Sequence, residues 1–131
     1  MKNFDIVCGK YNDEKMGNNF STIYDNMTID YRMFKGNEFN QIYSSSHFII
    51  RNEIFNQSGG FNEYIKGYED IEFFHRCKIL GYKIKFDPTF QATHLKNYNF
   101  FSLLKNYFCK SNNALHARYL YPKILKNRIN L

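Results

Sequence analysis

Between Gly67 and Gly81 the chain reads Gly-Tyr-Glu-Asp-Ile-Glu-Phe-Phe-His-Arg-Cys-Lys-Ile-Leu-Gly, and no other run constrains the fold as much. Asp70, Phe73, Phe74 and Cys77 stand at i, i+3, i+4 and i+7, so on a helix they share one face. Gly81 suits the left-handed position after a last turn, which predicts a helix ending near Leu80. Asp70 then lies in the first turn, at the positive end of the helix dipole. Its carboxylate is expected to stay ionised there, held by the apolar face behind it. An ionised, positioned carboxylate can act as a general base. Glu69 and Asp70 can also do no more than cap the helix.

The rest of the chain supplies strands for that helix to pack on. Phe4 to Lys10 reads as a strand with Phe4, Ile6 and Cys8 on one side, and Gly9 allows a close backbone approach or a bulge. Asn12 to Asn19 reads as a loop, in which Asp13 and Glu14 are either a metal pair or solvated charges. Over Asn19–Met33 the pattern is mixed: Phe20, Ile23, Tyr24 and Met27 suit a helical stripe while Thr22, Thr28 and Ile29 favour strand, and a short helix is expected. Gly36 to Asn40 is a turn. Ile42 to Ile50 reads as a strand with Ser44-Ser45-Ser46 in its middle, where small hydroxyl residues leave room for a ligand or simply mark an edge strand. His47 beside them reads as structural. Arg51 to Gln57 is a short helix stopped by Ser58-Gly59-Gly60. Tyr82, Ile84 and Phe86 alternate with lysines in a half-buried strand that Asp87-Pro88 is expected to end. A further extended piece, Thr89 to Leu95, carries His94. Two helices are expected in the tail, one over Phe100–Lys110 and one over Ala114–Leu120, with Pro122 ending the second.

The 131 residues suffice for one compact domain or most of one, and a 44% hydrophobic, 19% aromatic content can build a core. Cys8, Cys77 and Cys109 are odd in number and widely spaced, with no CxxC pair. They argue against a disulfide framework or zinc site and fit a reducing compartment. No charged-then-apolar leader is present, and no apolar run approaches the ~18 residues of a membrane span. The chain therefore reads as cytoplasmic. The +6 charge fits an anionic ligand, an anionic membrane surface or nucleic acid. The basic segment 123–131 suits the inner face of a membrane, or is a solvated, frayed end. The lysines are scattered and no nucleic-acid motif is recognisable, so nucleic acid is not an expected partner.

The order of the elements says more than any one of them. After a strand with small residues come Arg51, Gly59-Gly60-Phe61-Asn62-Glu63, Glu69-Asp70, Arg76, Gly81-Tyr82-Lys83-Ile84, Pro88 and His94. This succession, over residues 46–94, resembles the C-terminal half of family 2 glycosyltransferases, inverting enzymes that use nucleotide sugars and have a GT-A fold. The resemblance implies an α/β fold: a GT-A-like mixed sheet with flanking helices. Residues 1–97 would be the acceptor-binding and base-carrying part of that domain, and residues 98–131 a helical, basic extension. Asp70 would be the catalytic base. Glu69, Ser45, Ser46, Gly59, Gly60 and Arg76 would be on the substrate side, Arg76 mainly as a partner for carboxylates. His94 would sit by the diphosphate and its divalent metal, Mn²⁺ or Mg²⁺.

The sequence departs from the family at Asn62, where an acid is usual, and it contains no Asp-x-Asp metal motif. The strand at Phe4–Gly9 looks like the one that follows that motif. The chain thus reads as lacking the N-terminal nucleotide-binding half, which a missing segment or partner chain would supply. An incomplete sheet would leave an apolar face open to self-association. The alternative function is a non-catalytic remnant or a module that binds a glycan or a partner chain.

Overall fold

The structure, a computed structural model, describes residues 4–12, 17–34 and 43–122. Asp13 and Glu14, the turn at 36–40, the expected start of a strand at Ile42 and the basic segment 123–131 lie outside these residues.

Among the described residues seven elements follow one another: β1 (Ile6–Tyr11), α1 (Phe20–Phe34), β2 (Phe48–Ile50), α2 (Asn52–Gln57), α3 (Glu69–Ile79), β3 (Ile84–Ala92) and α4 (Phe100–Leu120). The class is α/β, with a small mixed sheet in the order β2-β1-β3. β1 runs antiparallel to β2, with Ile6 opposite Ile50 and Cys8 opposite Phe48. It runs parallel to β3, with Ile6 opposite Ile84 and Cys8 opposite Phe86.

The strand alternation and the helical period meet in one core. Ile6 and Cys8 point from β1 to the face of α3 that carries Phe73, Phe74 and Cys77, and all five are buried. Phe48, Phe55 and Phe61 close around Phe73, the closest ring centroids 4.8 Å apart. A buried Phe contributes about 1.5–3 kcal/mol, so this aromatic cluster holds α2 and α3 on the sheet. Burial pushes the Cys8 thiol up to about 12, leaving it inert as a nucleophile. α3 ends as its sequence predicts, with Leu80 as cap and Gly81 at φ +85°.

Three expectations are corrected. β3 does not end at Asp87-Pro88. It runs on to Ala92 through an irregularity, because the ladder resumes with Lys10 opposite Gln91. Pro88 has no N–H to give a ladder and falls where none is needed. Asp87 ties the bulge by accepting from the backbone N–H and hydroxyl of Thr89 and from Lys85.

The serine run is not strand. Ser45 and Ser46 form a turn and β2 begins only at Phe48. The Ser44 hydroxyl accepts from the Ser46 N–H at 3.2 Å, a local bond that competes with a ladder.

The two tail helices are one, α4, since Ser111-Asn112-Asn113 are weak helix formers but not breakers. Its second half packs through Ala117 against Ile65, Tyr68 and Ile71. The Asn62 amide donates to the Tyr121 hydroxyl at 2.8 Å. α4 ends at Leu120, ahead of Pro122.

α1 forms where the apolar stripe predicts it, capped by Asn19, whose side chain accepts from the Thr22 N–H at 3.0 Å. The stripe nevertheless faces outward. Phe20, Tyr24 and Met27 are exposed, while Ser21, Thr22, Asp25 and Asn26 are buried. Among the described residues, most of the exposed large apolar side chains are on α1 and α4.

Candidate functional site

Asp70 stands in the first turn of α3, beside the 45–46 turn. One carboxylate oxygen accepts from the Ile71 N–H at 2.8 Å, the other from the Ser45 N–H at 3.3 Å. The sequence expectation of a plainly ionised carboxylate omitted burial. Desolvation raises the Asp70 pKa above its ordinary value, the backbone donors at Ser45 and Ile71 pull it down, and the Glu69 charge adds to the rise. Glu69 lies next to it, with Oε2 buried and no hydrogen-bond partner among the described residues. The structure thus brings Asp70, Glu69 and Ser45 together, with Ser46 following in the same turn.

Arg76, Gly59 and Gly60 make a second cluster. Arg76 is six residues beyond Asp70, about 9 Å along the helix axis. Its Nε and Nη2 donate to the two oxygens of Glu72, both at 2.8 Å. Nη2 also donates to the Gly60 carbonyl at 2.7 Å, and Nη1 donates to the Ser58 carbonyl. Gly59 and Gly60 have φ +80° and +63°, and this left-handed pair ends α2. The guanidinium therefore fastens the Gly59-Gly60 loop to α3. Its partners are protein groups, the Glu72 carboxylate and two backbone carbonyls.

His94 lies in a third group. Its Nδ1 is 2.6 Å from the Asn26 amide oxygen. Its ring stacks on Tyr11, centroids 4.6 Å apart and planes 15° from parallel. Burial lowers its pKa, the charge on Asp25 raises it, and Lys96 and Lys110 lower it. Asp25 is 1% exposed, with Lys110 Nζ at 3.7 Å and no hydrogen bond to either oxygen among the described residues. Among the described residues no three His, Cys, Asp or Glu side chains converge on a point that could hold a metal.

His47, read from sequence as structural, links the first group to the third. Its Nδ1 is 2.9 Å from the Ser46 hydroxyl, and its ring lies 5.2 Å from Tyr11. Its backbone carbonyl accepts from the Gly9 N–H. Burial lowers its pKa, partly offset by backbone groups of Lys10 and Gly9. Gly9 makes this approach possible: a Cβ there would stand 2.0 Å from the Phe90 carbonyl oxygen and 2.6 Å from the His47 ring. The expected glycine role is seen at that position. Asp25 and Asn26 were missed because only the apolar residues of α1 were read for periodicity. The polar set Ser21, Thr22, Asp25, Asn26 has helical spacing of its own and was the available signal.

Compared with family models, curated proteins and solved structures, the chain matches none.

Proposed function

We propose that the chain carries the acceptor-binding and proton-abstracting part of an inverting, nucleotide-sugar-dependent glycosyltransferase, with Asp70 as the general base. The observation that carries this reading is the placement of Asp70. It opens a helix, is backed by a dry aromatic core, accepts from the Ser45 and Ile71 N–H groups, and has its proton affinity raised by burial. An alcohol is a weak nucleophile and needs a base with affinity for its proton. In the proposed reaction the acceptor O–H proton passes to the Asp70 carboxylate. The oxygen attacks the anomeric carbon from the side opposite the leaving group. The bond from that carbon to the diphosphate oxygen breaks, and the nucleoside diphosphate departs with the electron pair. Glu69 helps hold the acceptor, and the 45–46 turn offers it hydroxyl donors. Arg76 positions the Gly59-Gly60 loop and does not touch the reacting atoms. No cluster of three His, Cys, Asp or Glu side chains among the described residues would hold the divalent ion that the family resemblance implies, and no step here runs through it.

The test is transfer to glycan acceptors from a panel of nucleotide sugars, by the chain alone and together with any nucleotide-binding half found to accompany it. Asp70→Asn is expected to lower kcat by about 10²- to 10⁴-fold, the usual contribution of a positioned base. An unchanged rate rejects the assignment. The second reading, a glycan- or partner-binding module without catalysis, is favoured by the exposed aromatic side chains Phe20, Tyr24, Phe101 and Phe108. Transfer by the purified chain would eliminate it.

A further inference from the structure

α4 is amphipathic in the wrong sense for a helix that only serves a core. Leu103 and Ala117 are its buried side. Phe101, Leu104, Phe108, Leu115 and Tyr119 fall within about 60° of arc on another side, at about 100° per residue. All five are exposed, from 52% at Leu104 to 84% at Tyr119. The stripe runs most of the length of a helix about 31 Å long at 1.5 Å per residue. The outward stripe of α1 meets α4 where Tyr24 and Tyr107 lie 6.3 Å apart, and Phe20 stacks on Tyr24. A soluble surface rarely leaves so much aromatic area in one place without a partner.

Charge indicates the partner. After Asp87 the sequence contains no Asp or Glu. Lys96, Lys105, Lys110 and Arg118 lie in this acid-free part of the described chain, and three more basic residues follow before Leu131. A second copy would set these like charges against each other. An anionic lipid surface meets both features, since acyl chains take the aromatic rings and headgroups take the cations. No helix among the described residues is long and apolar enough to cross a membrane.

We propose that the exposed α4 stripe, flanked by α1, docks flat on an anionic phospholipid bilayer, its aromatic side chains entering the headgroup–acyl boundary and the exposed Lys105 and Arg118 at its edges pairing with lipid phosphates. The placement leaves Asp70, at the start of α3, outside the contact set, so docking and transfer are separable.

The experiment is flotation of the 131-residue chain with vesicles of phosphatidylcholine alone and with about 30 mol % phosphatidylglycerol, at rising salt. It needs neither donor nor acceptor, so its outcome does not depend on the glycosyltransferase reading. Binding to the anionic vesicles that weakens with salt is expected. Phe101→Ser with Phe108→Ser should lower the partition at least about tenfold, since two rings leave the bilayer. Lys105→Glu should lower it about fivefold or more. Lys83→Glu, at the exposed residue that precedes β3 and lies beside Asp5, should leave it unchanged. Far-ultraviolet circular dichroism confirms that the variants fold, as expected for substitutions at exposed sites. Equal binding to both vesicle types, binding to neither, or binding unaffected by the double substitution overturns the proposal. So does a dimer, seen by sedimentation equilibrium, that the double substitution dissolves, because a second copy then covers the stripe.

Discussion

Replacing Arg76 by Met tests whether one side chain holds the loop before α3. The guanidinium meets both oxygens of Glu72 and the carbonyls of Ser58 and Gly60. Glu72 is only 6% exposed. Removing Arg76 leaves that carboxylate without its charge partner and two carbonyls without donors. Breaking one side of a buried pair costs about 3–5 kcal/mol. The Arg76 side chain is 27% exposed, so water can reach part of the vacated space and the lower end applies. The expected loss is about 3 kcal/mol, a large part of the ~5–15 kcal/mol that holds a domain together. With a urea m-value of about 1.5 kcal/mol/M the midpoint falls by about 2 M and m stays constant. Urea unfolding followed by circular dichroism reads both quantities. Glu72→Leu combined with Arg76→Met should recover roughly 2 kcal/mol of the summed single losses, since the unpaired charge is then gone. A single-variant loss below about 1 kcal/mol, or additive losses in the double variant, would refute the reasoning and show a solvated guanidinium that fastens nothing.

Further outcomes follow from the same geometry. Gly9→Ala would force a Cβ to 2.0 Å from the Phe90 carbonyl oxygen, so β1 and β3 must part there; a loss of about 1–3 kcal/mol or more is expected in the same unfolding assay. Asp70 has a folded pKa raised above 3.8, so the native state holds its proton longer than the unfolded chain. Stability should therefore fall as pH rises from 3.8 through the folded value, and Asp70→Asn should remove that part of the slope in thermal unfolding measured against pH. His47 and His94 have folded pKa values lowered below 6.5 by burial. Their contribution is complete above 6.5 and is lost as pH falls toward the folded values. Replacing both by Gln should flatten stability in that window, and nuclear magnetic resonance titration of the wild-type imidazoles should give midpoints under 6.5.

Much of the core was legible from local pattern. The i, i+3, i+4, i+7 spacing from Asp70 to Cys77, the glycine after α3, the paired glycines after α2 and the alternation in β1 and at the start of β3 each carry their own physical cause. A helix buries the side whose apolar residues recur at its period, and only glycine adopts positive φ without strain. These rules act over a few residues, and a sequence shows a few residues at a time. They placed Asp70 at the head of a helix over an aromatic core.

What lies between elements was decided by contacts across the chain. β3 passes through Asp87-Pro88 because β1 is there to pair with it on both sides of the irregularity. Ser111-Asn112-Asn113 stay helical while α4 lies against the loop around Ile65 and Tyr68. α1 turns its polar side inward because Asn26 meets His94 and Thr22 meets Asn97 and the Tyr98 backbone, over separations of 68 to 76 residues. The direction of the Asp70 pKa shift belongs here too. The helix terminus is local and favours the charged form, whereas desolvation depends on what the whole chain packs around the carboxylate. By itself the sequence determined which segments coil and which extend around Asp70. Only the tertiary structure decided which faces are covered, because covering a face takes a second element from far along the chain.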